Sequence, residues 1–330
     1  MKTISLPATD LTVSVLGFGA ADMGTGISVE DALPLVAGFV EAGGNFFDTA
    51  HCYAFWERNG LGASERALGA ALRRLGCADQ VIVATKGGHP DGGPPYRRPD
   101  DFLAENILTG DIESSLFRLG VETIDLYYLH RDDGRTPVGE IIERLNGFIR
   151  RGWIRYIGAS NWSVERIAEA NTYADANGLH GFVVSQIQGS LAVAKQVPTA
   201  DPTNRFMDAP TAAWHRQSLL PIVAYSATAN GYFSAHPSPL GGTLYDNPDN
   251  QARRERARAL ATQMGCTPTQ IALVYLLNQS GFPVIPLFST KRREHLSEII
   301  GAEAFTLSGE QVDWLSGTAS QGRDQEWGLR

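Results

Sequence analysis

The sequence predicts an α/β fold, a (β/α)8 TIM barrel with long βα loops and C-terminal helices, and three observations predict it. Short β-branched runs alternate with segments of helical period along the whole chain. The runs number eight and are apolar almost throughout, as strands buried on both faces of a parallel sheet must be. The third observation is a missing glycine. An open sheet that binds dinucleotides carries G-x-G-x-x-G after its first strand. Here the turn reads Gly17-Phe18-Gly19-Ala20-Ala21-Asp22, so a closed barrel is the better reading of the same alternation.

The predicted strands are residues 13–19, 45–49, 81–85, 124–130, 154–159, 182–186, 222–225 and 283–288. Helical periodicity fills the intervals at 29–42, 64–75, 103–119, 138–151 and 164–177. A less regular piece follows at 204–219, then 251–264 with 268–279, and finally 293–300. Several of these segments run into a glycine (Gly43, Gly76, Gly120, Gly152, Gly178, Gly265), the residue that tolerates the left-handed conformation at a helix end. Asp-Gly, Gly-Gly and Pro-Pro pairs mark the longer insertions at 88–101, 195–203 and 230–250. No linker-like stretch or fixed-period repeat divides the chain, so residues 1–330 are expected to form one barrel domain, a size such barrels reach.

Composition narrows the partners. Hydrophobic residues make up 43% of the chain and charged ones 19%, enough for one large core. The net charge of −8 disfavours nucleic acid, which needs a basic surface. Three widely separated cysteines without C-x-x-C read as reduced thiols, so a cytoplasmic location is expected. No run of 18 apolar residues is present and residues 1–10 lack a secretory h-region, so no membrane partner is expected.

In a barrel of this type, chemistry gathers where strands end and βα loops begin. Asp48 ends the second predicted strand, with Tyr53 five residues on; Lys86 follows the third and His130 closes the fourth. A free tyrosine has a pKa near ~10. An ammonium beside the phenol favours phenolate, and a carboxylate beside the ammonium fixes its position and keeps it charged. A neighbouring histidine orients a carbonyl oxygen. With those four groups in place, Tyr53 is the expected general acid for reduction and, as phenolate, the base for oxidation. Singly, each has an ordinary explanation in packing or turn formation; the case rests on all four falling at strand ends.

At this point the chain resembles the aldo-keto reductases. The resemblance is carried by Gly44-Asn45-Phe46-Phe47-Asp48-Thr49-Ala50 with Tyr53, by Gly62-Ala63-Ser64-Glu65, and by Ser115–Gly120 leading to Ile124-Asp125-Leu126-Tyr127-Tyr128-Leu129-His130. It continues through Gly152-Trp153-Ile154-Arg155-Tyr156-Ile157-Gly158-Ala159-Ser160-Asn161-Trp162 and the late Thr267-Pro268-Thr269-Gln270, spanning roughly residues 10–315 in order. It implies an extended nicotinamide dinucleotide in the barrel mouth. Ser160, Asn161 and Gln186 would hold the carboxamide, Tyr225 would stack on the ring, and Asp48 would also meet the ribose. Ser289, Thr290, Lys291, His295 and Glu298 would hold the adenosine end. Hydroxyls and the cations of Lys291-Arg292-Arg293 beside a helix start suit a 2′-phosphate, so NADPH is expected in preference to NADH. Family members more often carry arginine where His295 aligns and asparagine where Ile299 aligns, and many place an aromatic at Gly189.

Phe55, Trp56, Arg131 and Trp162 follow strand ends and are the expected substrate contacts, for a small-molecule carbonyl or alcohol, sugar-like by the mixture of rings with Arg131 and Asp132. His51-Cys52 has no second ligand pair at metal spacing, so no metal is expected. The competing function on the same fold is a nucleotide-sensing, non-catalytic subunit, which need not retain the four polar groups; the oligomeric state is open.

Overall fold

The computed structural model describes residues 1–195, 203–235, 239–318 and 327. Most of the insertion read at 195–203, and residues 236–238 of the one at 230–250, lie outside the described residues.

A two-stranded antiparallel hairpin opens the chain, β1 (Thr3–Ser5) and β2 (Thr12–Ser14). The barrel then follows as β3 (Gly17–Gly19), β4 (Phe46–Asp48), β5 (Ile82–Gly87), β6 (Ile124–Leu129), β7 (Ile154–Ser160), β8 (Phe182–Gln188), β9 (Ile222–Tyr225) and β10 (Val284–Phe288). Neighbours in the chain are neighbours in the sheet, all parallel, and β10 pairs back to β3 to close it. The fold is the (β/α)8 barrel that the alternation predicts.

One predicted strand divides. The apolar run 13–19 is not a single element: Thr12–Ser14 belongs to the hairpin and only Gly17–Gly19 to the barrel. Ser14 makes the break, its hydroxyl donating to the Leu16 carbonyl at 2.7 Å and its amide to Asn45 Oδ1 at 2.6 Å. Leu6, Leu11 and Val13 of the hairpin are buried against Phe46, Leu126, Val184, Val223 and Ile285 inside the barrel. The hairpin therefore stoppers the end of the barrel opposite the strand C-termini.

The helices are α1 (Val29–Glu41), α2 (Ala63–Leu75), α3 (Glu105–Leu119), α4 (Val138–Arg150), α5 (Val164–Asn177), α6 (Ala209–Ser218), α7 (Pro239–Tyr245), α8 (Pro248–Met264), α9 (Pro268–Leu277), α10 (Arg293–Ile300) and α11 (Gly309–Ser316). Side-chain caps start many of them: Ser28, Ser163, Asp208 and Asn247 each accept the backbone N–H three residues on. Thr267 with Gln270 and Ser308 with Gln311 form reciprocal capping boxes at α9 and α11. Gly76, Gly120, Gly178 and Gly265 close their helices in the left-handed conformation, as read from the sequence. Helices α7 and α11 lie outside the predicted segments. Asn250, buried at the start of α8, ties the loop after β8 down by exchanging both hydrogen bonds with the Val193 backbone and donating to the Tyr245 carbonyl.

Candidate active site

The four polar groups read at strand ends meet in one place. Lys86, on β5 and 1% exposed, donates three hydrogen bonds from Nζ: to Asp48 Oδ1 at 2.6 Å, to the Thr49 carbonyl at 2.7 Å and to Tyr53 Oη at 2.9 Å. An ammonium has three N–H donors, so this set uses all of them. The second oxygen of Asp48 accepts from Gln186 Nε2 at 2.8 Å, drawing β8 into the same network. His130, just past β6, presents its ring edge-on to Tyr53 with centroids 5.9 Å apart.

Tyr53 sits in a succession of turns, and its position needs support from outside that loop. Helix α2 supplies it. Ser64 shares a 2.7 Å hydrogen bond with Thr49 and donates to the Ala20 carbonyl. Glu65, fully buried, accepts from Thr85 Oγ1 at 2.7 Å and from Arg118 Nη1 at 3.1 Å, and the same Arg118 nitrogen reaches the His51 carbonyl at 3.1 Å. Gly62 has φ +71°, and a Cβ there would meet the Arg118 guanidinium at 2.4 Å, so glycine is what lets that side chain cross.

A cleft of about 840 Å³ runs from this cluster across the mouth. It is lined by Asp48, Tyr53, His130 and Arg131, then by Ser160, Asn161, Gln186 and Tyr225, and at its far end by Ser289, Thr290, Lys291, His295 and Glu298. Asn161 holds a left-handed backbone (φ 58°); its Oδ1 accepts from Tyr225 Oη at 2.8 Å and from the Arg205 amide at 3.1 Å. Lys291 pairs with Asp22 at 3.7 Å across the far end, Arg292 Nη2 meets His295 Nε2 at 2.8 Å, and Glu298 accepts from Thr267 Oγ1 at 2.6 Å.

The sequence profile of the Aldo/keto reductase family matches residues 15–318. This chain belongs to the aldo/keto reductase family. It is also similar to a protein of Glycine max named "Probable aldo-keto reductase 1", with 29% identity over 329 residues covering 94% of this chain and 87% of that protein. As a member of the family the chain is an oxidoreductase of carbonyls. No helix among the described residues is long and apolar enough to cross a membrane.

Charges in this aldo/keto reductase barrel depart from their ordinary values for identifiable reasons. Burial raises the pKa of Tyr53 and the Asp48 charge adds to it; Lys86 opposes both without reversing them. The net direction is thus upward, against the sequence argument that considered the ammonium alone. Burial would lower Lys86, but Asp48 and Tyr53 outweigh it and hold it raised. Asp48 is raised by burial, with Lys86 and Gln186 pulling it back. Burial, reinforced by Arg131, His89 and Lys86, holds His130 well below its usual value and therefore neutral.

Three expected substrate contacts need comment. Trp162 is displaced from the role: it is 1% exposed, packed on Phe182 at 5.1 Å and under Arg166, in the core outside the barrel rather than at the mouth. Residue 162 follows a strand end, but α5 begins at once and folds the indole inward. Phe55 and Trp56 do not line the cleft; Phe55 packs against Trp56, Tyr96 and His89 in an aromatic wall beside Tyr53, and Trp56 is 60% exposed. Arg131 does line it, bonded to the His130 carbonyl and to Asn204 Oδ1. Asp132, read as part of a sugar-like substrate side, and its neighbour Asp133 are engaged by Arg166 and by the 134–136 backbone, where they shape the loop. Sequence reading missed the Glu65–Arg118 clamp and the Thr49 carbonyl that accepts from Lys86. Glu65 stands in a quoted motif, but its partner is 53 residues away, and spacing gives no sign of that.

Proposed function

We propose that the protein is an NADPH-dependent reductase of an aldehyde or ketone, with Tyr53 as general acid, and that in reverse it oxidises a secondary alcohol with Tyr53 as base. The observation that carries this reading is the Lys86 ammonium, with one N–H on Asp48 and another on the Tyr53 phenol. Nicotinamide supplies the hydride when bound. The residues fit such a dinucleotide: the cleft is continuous, of the size typical for a small-molecule site, polar at one end and cationic beside the α10 N-terminus at the other. Ser160, Asn161 and Gln186 would hold the carboxamide, Tyr225 the ring, and Ser289, Thr290, Lys291, His295 and Glu298 the adenosine end with its 2′-phosphate.

The chain's own part in the reaction is proton placement. Tyr53 is protonated at neutral pH and gives its Oη proton to the carbonyl oxygen as negative charge develops there. Lys86, held on three sides, lies against the phenolate oxygen that remains and neutralises it. Neutral His130 orients the carbonyl oxygen by hydrogen bonding. Arg131 borders the substrate side of the cleft, and Phe55 and Trp56 stand back from it in the aromatic wall beside Tyr53. The sugar-like preference loses support with Asp132 and Asp133 bound into their loop.

The test is Tyr53→Phe, assayed by NADPH consumption over a panel of aldehydes and ketones. Turnover should fall by about 10²–10⁴-fold, the contribution of a positioned acid, while NADPH binding is retained. Equal turnover in both proteins removes Tyr53 from the mechanism. Tight NADPH binding with no turnover in the parent shifts the reading to a nucleotide sensor.

A further inference from the structure

Three ligating side chains that the reductase reading leaves without a common purpose converge beside Tyr53. Cys52 comes from the loop after β4, His89 from the loop after β5 and His130 from the end of β6, and one ligating atom from each lies within 4.8 Å of the others. Spacing along the chain hides this: the sequence draws attention to His51-Cys52, whereas the fold pairs Cys52 with residues 37 and 78 positions on.

We infer that Cys52, His89 and His130 form a binding site for a soft divalent cation of the Zn²⁺ class. Cys52 Sγ lies 3.4 Å from His130 Nδ1. A tetrahedral zinc, with bonds of about 2.3 Å to sulfur and about 2.0–2.1 Å to nitrogen, has an S···N edge of roughly 3.6 Å. The observed separation is thus close to that of a ligand pair already in place. His89 Nδ1 sits 2.9 Å from the Pro90 carbonyl, a contact that places the proton on Nδ1 and the lone pair on Nε2. An orienting hydrogen bond of this kind, from the far ring nitrogen to a carbonyl, is the usual support of a metal-binding histidine.

All three segments are pinned. The loop carrying Cys52 is held by the Glu65–Arg118 clamp, the Gly88 amide donates to buried Asp111 Oδ2 at 2.9 Å, and Arg98 closes the 88–101 loop onto the same carboxylate. Binding forms the Cys52 Sγ–metal bond and releases the thiol proton to solvent. Three protein ligands leave a tetrahedral cation one position for water or an anion. The charges of Lys86 and Arg131 lie close and oppose a cation, so the occupancy is reversible rather than structural. On the proposed function, a cation bound to His130 Nδ1 where it stands sets positive charge against the Lys86–Tyr53 pair, and it inhibits reduction.

The test reads binding directly, without turnover. Titrating the full chain with Co²⁺ should produce a thiolate-to-cobalt charge-transfer band that Zn²⁺ abolishes. Cys52→Ser should remove the band, and His89→Gln should weaken Co²⁺ binding by at least about tenfold, as loss of metal-site groups does. The double variant Cys77→Ser/Cys266→Ser, which leaves Cys52 as the one thiol, should keep the band. That variant decides the matter even where Cys52→Ser does not fold. A parent without the band, a band that survives Cys52→Ser or disappears in the double variant, or a His89→Gln protein that binds Co²⁺ as tightly as the parent overturns the site. Inhibition of NADPH consumption by Zn²⁺, relieved by a chelator, is measured separately, so failure of the reductase reading does not obscure the result on binding.

Discussion

At the scale of single residues, burial outweighs almost every local charge in the site, and His51 shows the effect in a form that pH can read. Its imidazole is 5% exposed, beside Asp111, Arg98 and the backbone that Arg118 holds. Burial lowers its pKa to about 4, against Asp111, with Arg118 and Arg98 adding to the fall. The unfolded chain protonates this histidine near ~6.5 and the folded chain does not. Its contribution to stability is therefore complete above pH ~6.5 and is lost as pH falls toward 4, by up to about 3 kcal/mol. Unfolding free energies measured across that interval should decline with a slope that His51→Asn flattens; an unchanged slope in the variant rejects this origin. Tyr53 follows the opposite logic, since a raised phenol keeps its proton through neutral pH. The four polar groups were legible because each is a chemically distinctive side chain at a strand end. Trp162 was misread for the complementary reason: an indole carries no mark of which way a helix start will turn it.

At the scale of elements, the position of Tyr53 is set by how α2 and α3 hold the loop between β4 and α2. Glu65 on α2 has no exposure and depends on Arg118 from α3 for its counter-charge. Removing one partner of a buried ion pair leaves the other uncompensated, at a cost of about 3–5 kcal/mol. Arg118→Met is expected to lower the unfolding free energy by that amount and also to slacken the His51 carbonyl it holds. A chemical-denaturation midpoint at the parent value would show that Glu65 finds another partner. Eight strands and most helices could be read from periodicity, because burial on both faces or on one stripe leaves a trace in sequence. The run 13–19 could not be divided this way: hairpin residues that fill the barrel interior are as apolar as the barrel strand they precede. Helix α7 begins in a stretch of prolines and glycines, where local composition argues for loop and tertiary packing around Tyr245 prevails.

For the whole molecule, the proposed use of a phosphorylated cofactor requires a protein of net charge −8 to gather its cations locally. Lys291 and Arg292 line the far end of the cleft, next to the start of α10. Hydrogen bonds to charged groups contribute about 1.5–3 kcal/mol each, so Lys291→Ala should weaken NADPH binding by about 10–100-fold and leave NADH binding nearly unchanged. Equal losses for the two nucleotides would show that Lys291 serves the cleft through Asp22 rather than through a 2′-phosphate. The barrel itself was legible from the βα alternation and the absent third glycine, whereas the single cleft that joins both ends of the site depends on loops whose paths no periodicity records.

The hairpin of β1 and β2 seals one end of a barrel whose interior is already filled by side chains. On the proposed function, nucleotide and substrate therefore both approach from the loop side, where the cleft lies across the mouth. Leu6, Leu11 and Val13 stand at the far end from that approach, so an alteration there acts on the firmness of the barrel and leaves the way in untouched.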